Sequence, residues 1–178
     1  MNERVQRLAP DIESLEDLLA AAYMVEEEAG ECLLSLAHQM EVHHNAPMAM
    51  LFQRLSDMRR EQAAAIFASM KPEWRQRIYA RDLRWLGESC PGAVDIVSAH
   101  YRMQPAHGLR LALAAFERIH DFYDEIVHTT EIEEVRQRAI ELRAQIAEHI
   151  RELEEELART PEPDDHWDHD DDPPMYQE

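Results

Sequence analysis

An all-α fold is the class this sequence predicts, on three observations. The 178 residues are 45% hydrophobic yet include only four glycines, a composition that favours packed helices over sheet and suffices for one domain with a core. Apolar residues recur at three-and-four spacing through four long segments, which keeps them on one face of a helix in each. Polar or proline-containing breaks separate these segments at His43, His44, Asn45 and Pro47, at Lys71 and Pro72, and at Thr129 and Thr130.

Residues 1–10 read as a lead-in ending at Pro10. The first helix starts from a cap at Asp11 or Ser14, whose side-chain oxygens can satisfy free first-turn amides, and runs to about Met40. Its inward stripe is Leu15, Leu18, Ala22, Glu26, Ala29, Leu33, Leu36 and Met40. The second helix spans residues 47–70, opening with a proline in a tolerated first-turn position and closing before Pro72. So short a link makes these two helices antiparallel neighbours. Residues 72–104 carry Trp74, Tyr79, Trp85 and a Pro91-Gly92 break among only short helical patterns, and read as a long crossover. The third helix covers residues 105–127 and the fourth residues 131–157, with Thr129 and Thr130 as turn and cap between them. Beyond Thr160 the stretch PEPDDHWDHDDDPPMYQE is acidic, proline-rich and nearly free of aliphatic residues, so residues 160–178 are expected to form a disordered tail and residues 11–159 the folded domain.

Thirty-seven acidic against eighteen basic side chains give a formal charge of -19. Such a surface repels phosphate backbones and anionic lipid and suits cations, metal ions or basic protein surfaces, so neither nucleic acid nor membrane is expected as a partner. No stretch approaches the about eighteen uninterrupted apolar residues of a membrane span, and the N-terminus carries no apolar signal core, which points to a cytoplasmic protein. Cys32 and Cys90 form no C-x-x-C, so a four-cysteine zinc site and a disulfide framework are not expected, and both read as buried or reduced thiols.

Glu26 is the residue that demands chemistry. A carboxylate on the buried seam of a helix must meet a metal, a cation or a proton, because an unpaired buried charge is too costly to persist. On the second helix the inward positions are Leu51, Leu55, Met58 or Arg59, Gln62, Ile66 and Met70. The third aligns Leu113, Glu117, His120, Asp124 and Val127, so that Glu117 and His120 form a Glu-x-x-His pair one turn apart. The fourth aligns Val135, Ala139, Leu142, Ile146, His149 and Leu153. Glu26, Glu117, His120 and His149 are therefore the candidate metal ligands, oxygen and imidazole donors suited to iron, with manganese or zinc as alternatives. Arg59 and Gln62 face them as supporting groups or as replacements for ligands, and Arg59 offers Glu26 an ion pair in place of a metal. Phe52, Phe116 and Tyr123 read as packing, and Glu27, Glu28, Glu31 and Glu61 as a solvated face. In the tail, Asp164, His166, His169 and Asp170 offer weak ligands for divalent cations.

Four short matches lie along the first hairpin: E-x-x-A over residues 26–29, L-A at Leu36 and Ala37, L-F at Leu51 and Phe52, and R-R-E-Q-A over residues 59–63. With two hairpins joined by one long crossover, the topology of ferritin-like four-helix bundles, they make residues 15–157 resemble the rubrerythrin branch of the ferritin-like superfamily. The resemblance implies a ferritin-like four-helix bundle, a diiron centre that reduces peroxide, and a homodimer. It places Glu26, Glu117 and His149 on ligand positions. Arg59 and Gln62 stand where the second helix of that family supplies Glu-x-x-His, His120 stands in place of a second glutamate, and Ile146 in place of the glutamate that accompanies His149. The two cysteine pairs of a rubredoxin module are absent from the sequence.

Two functions follow. One is a ferritin-like metal-binding protein with an altered, single-ion site and weak or no peroxide- or oxygen-linked oxidoreductase activity, since three of the carboxylates that bridge a diiron pair are missing. The other is a non-enzymatic helical scaffold, in which an ion-pair network of Arg59 with Glu26 and Glu117 replaces the metal and the acidic surface engages a protein partner. The sequence singles out no catalytic residue and no electron donor.

Overall fold

The structure, a computed structural model, describes residues 12–76, 78, 90–94 and 99–163. The expected lead-in, part of the crossover and the tail beyond residue 163 lie outside these residues. Among the described residues there are five helices, α1 (Leu15–Val42), α2 (Ala46–Ser69), the single-turn α3 (Pro72–Arg75), α4 (Pro105–Thr129) and α5 (Glu133–Arg159), and no strand. None of these helices is long and apolar enough to cross a membrane.

The helix ends have local causes. Ser14 Oγ accepts from the Asp17 amide at 3.1 Å and starts α1. The chain turns through His44, which takes the left-handed backbone conformation at φ 57°. Asn45 then caps α2, its Oδ1 accepting from the Met48 amide, while its Nδ2 donates to Tyr101 O at 3.0 Å and Met103 O at 2.8 Å. One side chain thus ties the α1–α2 turn to the segment that enters α4. At the other turn the expected threonine cap of the last helix is displaced. Thr130 ends α4 and its Oγ1 accepts from the Ile132 amide, while Ile132 occupies the cap position of α5 without a side-chain bond.

α1 and α2 run antiparallel: Tyr23 stacks at 5.6 Å from Phe67, and further along Ser56 Oγ donates to Gly30 O at 2.8 Å. α4 and α5 are likewise paired, with Asp124 beside Arg143 across the seam. The hairpins meet through α2 against α4 and α1 against α5. Gly108 allows the close approach of α2 and α4, since a Cβ there would lie 2.3 Å from Met48 Cε. Farther along both helices, Phe116 lies beside Arg59, so α2 and α4 point the same way. One continuous core, including Leu18, Leu33, Phe52, Leu55, Phe116 and Ile146, runs between the hairpins.

Three of the four stripes lie where periodicity puts them. Leu18, Ala22, Glu26, Ala29, Leu33, Leu36 and Met40 are buried on α1, Leu51, Leu55, Arg59 and Ile66 on α2, and Val135, Ala139, Leu142, Ile146 and Leu153 on α5. α4 is turned by about one residue, roughly 100°. Its buried face is Leu109, Ala112, Leu113, Phe116, Ile119, Phe122, Tyr123 and Ile126. Glu117 is exposed, and His120, Asp124 and Val127 lie at the edge. The physical reason is area: this register buries Phe116 and Ile119 in place of Glu117 and His120, and each such apolar side chain contributes about 1.5–3 kcal/mol when fully buried.

Candidate functional site

The buried stripes of four helices bring four polar groups together near the middle of the core. α1 supplies Glu26, 1% exposed, and α2 supplies Arg59, 0% exposed, which meet because the antiparallel hairpin sets their positions opposite each other. Arg59 Nη1 donates to Glu26 Oε2 at 3.0 Å. From α4 the Tyr123 hydroxyl donates to the other oxygen, Glu26 Oε1, at 3.3 Å. From α5 His149 presents Nδ1 to Arg59 Nη2. A guanidinium nitrogen can only donate, so Nδ1 is the acceptor and the ring is the neutral tautomer with its proton on Nε2. The guanidinium carbon stands 4.4 Å from the centroid of the Phe116 ring, a cation–π contact between two fully buried groups. Among the described residues Arg59 Nε has no hydrogen-bond partner.

The electrostatics follow from burial. Desolvation pushes the Glu26 carboxyl above its ordinary range, with Arg59 and then Tyr123 working against it. Burial, followed by the neighbouring Glu26 charge, raises the Tyr123 phenol, so it remains a donor. His149 is lowered, first by burial and then by Arg59, which keeps its ring neutral and accepting. The network therefore holds one cation fixed and one carboxylate paired with it.

Of the residues singled out as ligands, the structure gathers Glu26 and His149 around Arg59, and leaves Glu117 and His120 elsewhere. Glu117 and His120 line a shallow cleft of about 250 Å³ with Asp121, Ala147 and Ile150 on the outer side of α4 and α5. Glu117 takes no part in the Arg59 network expected of it, because the register of α4 turns it to solvent. Gln62 is at the rim, where its Nε2 donates to Gln145 Oε1 at 2.6 Å. Tyr123, read from the sequence as packing, is the residue missed. Its signal was available: the apolar stripe Phe116, Ile119, Tyr123, Ile126 is unbroken at helical spacing, and a phenol on such a stripe needs a partner.

A dimetal centre of the kind the resemblance implies does not fit these residues. The space beside Glu26 is filled by a guanidinium, and among the described residues no three His, Cys, Asp or Glu side chains gather closely enough to hold an ion.

The architecture has a solved counterpart. A crystal structure of an uncharacterised conserved protein from Magnetospirillum magnetotacticum is 27% identical, with a TM-score of 0.62 over 85% of this chain and 98% of that chain. The similarity extends over most of both chains, so this chain shares its all-helical architecture with that protein. No family model and no curated protein matches the sequence.

Proposed function

We propose that this chain is a rubrerythrin-like four-helix bundle in which Arg59 takes the place of the metal, and that it acts as a non-enzymatic scaffold for a protein partner. The observation that carries this reading is the complete burial of Arg59 against Glu26. A buried carboxylate needs positive charge, and a guanidinium supplies it permanently, with planar donors that satisfy Glu26 and His149 together. Arginine has no accessible redox state and no open coordination position, so peroxide or oxygen chemistry at this place would have no agent. What remains as an addressable feature is the acidic surface, whose formal charge of -19 for the whole chain suits a partner with a basic face.

The test is metal stoichiometry. Protein loaded with ferrous iron under anaerobic conditions and then desalted should retain essentially no iron by elemental analysis. Arg59→Glu should retain about one ion per chain, because the introduced carboxylate joins Glu26 and His149 as a three-donor set. Wild-type protein that holds one ion per chain, and loses it in His149→Ala, would overturn this reading in favour of an altered single-ion metalloprotein.

A further inference from the structure

α2 carries a second stripe besides the one it buries. Ala46, Met50, Gln53 and Asp57 recur at three-and-four spacing on the face turned away from the core. With Ala49 beside them they line an open groove of about 590 Å³, which Glu41 from the last turn of α1 also borders. The floor is apolar and low, because Ala46 and Ala49 end at Cβ. Met50 stands beside this recess with 73% of its surface exposed, and Val42, across the turn, is 75% exposed. Methionine is unbranched and polarisable, so it can mould itself around an apolar side chain seated in the recess. The stripe from residue 46 to residue 57 is about 16 Å long, or three helical turns.

The charges around the groove select its occupant. Asp57 accepts from Gln53 Nε2 at 3.0 Å, and among the described residues neither Asp57 nor Glu41 pairs with a cation. Arg54, the guanidinium at the rim, is already occupied: its Nη2 donates to both oxygens of Glu156, at 2.7 and 2.8 Å. The groove therefore presents an apolar floor between two uncompensated carboxylates. A second copy of this chain would bring the same carboxylates and another formal charge of -19 against it. Residues 164–178, which carry aspartates and a glutamate but no lysine or arginine, are repelled in the same way.

We propose that this groove docks an amphipathic helix of a partner protein, with one large apolar side chain seated between Met50 and Ala46 and with lysine or arginine flanking it to meet Glu41 and Asp57. The proposal rests on the reading of this chain as a scaffold for a basic partner, and gives that partner a place and a shape. A helix fits because α2 offers a straight row of side chains at helical spacing, and its alanines let a second helix approach closely. Opposite charge at the ends fixes the register and speeds encounter, while the apolar contact holds the complex together.

The experiment measures fluorescence anisotropy of a labelled synthetic peptide titrated with the full chain. The probe is a leucine–lysine peptide of about fourteen residues, or four turns, with leucines at three-and-four spacing. Its control is a scrambled peptide of the same composition and charge. At about 0.15 M salt, where long-range attraction is screened, the amphipathic peptide should bind at least about tenfold tighter than the scrambled one, the effect of one buried apolar anchor. Met50→Ser, at an exposed position, should remove most of that advantage and leave the scrambled peptide unchanged. Glu41→Lys with Asp57→Lys should weaken the amphipathic peptide by about tenfold. The same charge change at the far end of the bundle, Glu131→Lys with Glu134→Lys, should leave it within about twofold. Equal binding of the two peptides, or equal losses in the two charge variants, would overturn the groove and leave the acidic surface as a general attractor. Absence of binding by the amphipathic peptide would overturn it too, as would a dimer in sedimentation that Met50→Ser dissociates, which would make the occupant a second copy. The scaffold reading itself stands or falls separately, on whether the wild-type chain retains iron.

Discussion

Replacing Arg59 by methionine, which has similar length and no charge, leaves Glu26 alone in a core where it is 1% exposed. The two charges now stand 3.0 Å apart, a separation at which their attraction is about 5 kcal/mol at an effective dielectric near 20. Desolvating both ions consumes several kcal/mol, so the pair contributes little in net terms. Removing one partner uncovers the whole penalty on the other, and Arg59→Met should lose about 3–5 kcal/mol at pH 7. For a chain of this size that lowers the thermal midpoint by about 6–20 °C. The loss should depend on pH with a definite sign. Burial already holds the Glu26 carboxyl above its ordinary value of 4.5, against the pull of Arg59. A raised folded-state pKa means that folding favours the protonated form, so stability present below the unfolded value is lost as pH rises through the folded one. Without Arg59 the rise is greater, and the variant should regain stability as pH is lowered from 7 toward 5. Arg59→Met combined with Glu26→Leu should recover most of the loss. Urea unfolding of the four proteins at both pH values closes the cycle. A single variant as stable as wild type at pH 7, or single losses that merely add in the double variant, would refute the reasoning.

Four further outcomes are expected. Gly30→Ala should lower the urea midpoint despite its better helix propensity, because a Cβ there would lie 2.8 Å from Arg60 Cγ, near the root of that side chain, and the packed α1–α2 contact would have to shift. Asn45→Ala should cost about 2 kcal/mol in the same assay, as the α2 cap is lost and the carbonyls of Tyr101 and Met103 lose a donor. Gly92→Ala meets main chain at Val25 and should cost about 1–3 kcal/mol in the same assay. For His149 the folded-state value is depressed from 6.5, so its contribution is present above that pH and lost as pH falls through the lowered value. His149→Gln keeps an acceptor for Arg59 without titrating, and a plot of thermal midpoint against pH between 7 and 5 should show a smaller acid-induced drop than in wild type.

The helices were legible because their stripes are mostly unambiguous. On α1 no other face offers Leu18, Leu33, Leu36 and Met40 together, and Glu26 is carried inward with them. On α4 two stripes compete, one through Glu117 and His120 and one through Phe116 and Ile119. Weighting polar residues for their chemical interest selects the first, whereas burial of apolar area selects the second. The pairing of Glu26 with Arg59 was legible as one alternative, since a seam carboxylate facing a seam arginine needs nothing else. The partner of Tyr123 was not legible: it depends on α4 meeting α1 across the core, a contact between segments far apart in sequence. Thr130 failed as the cap of the last helix for a local reason, its hydroxyl being engaged by the Ile132 amide in the turn itself.

A metal ion and a guanidinium answer the same buried carboxylate in different ways. An ion is held only by its ligands, so chelation or protonation of those ligands removes it. Arg59 is attached to α2, and its charge cannot leave without unfolding that helix from the core. Its fork is satisfied in two directions, by Glu26 from α1 and by His149 from α5, while its face rests on Phe116 from α4. The site consequently acts as a fixed link among four helices, and its inner members change state only when those helices separate. The half-buried His149 is the exception. A proton added to Nδ1 would remove the acceptor that Arg59 uses and set two cations side by side, leaving Glu26 as the single counter-charge for both. Solvent therefore reaches the network through α5, at that half-buried ring.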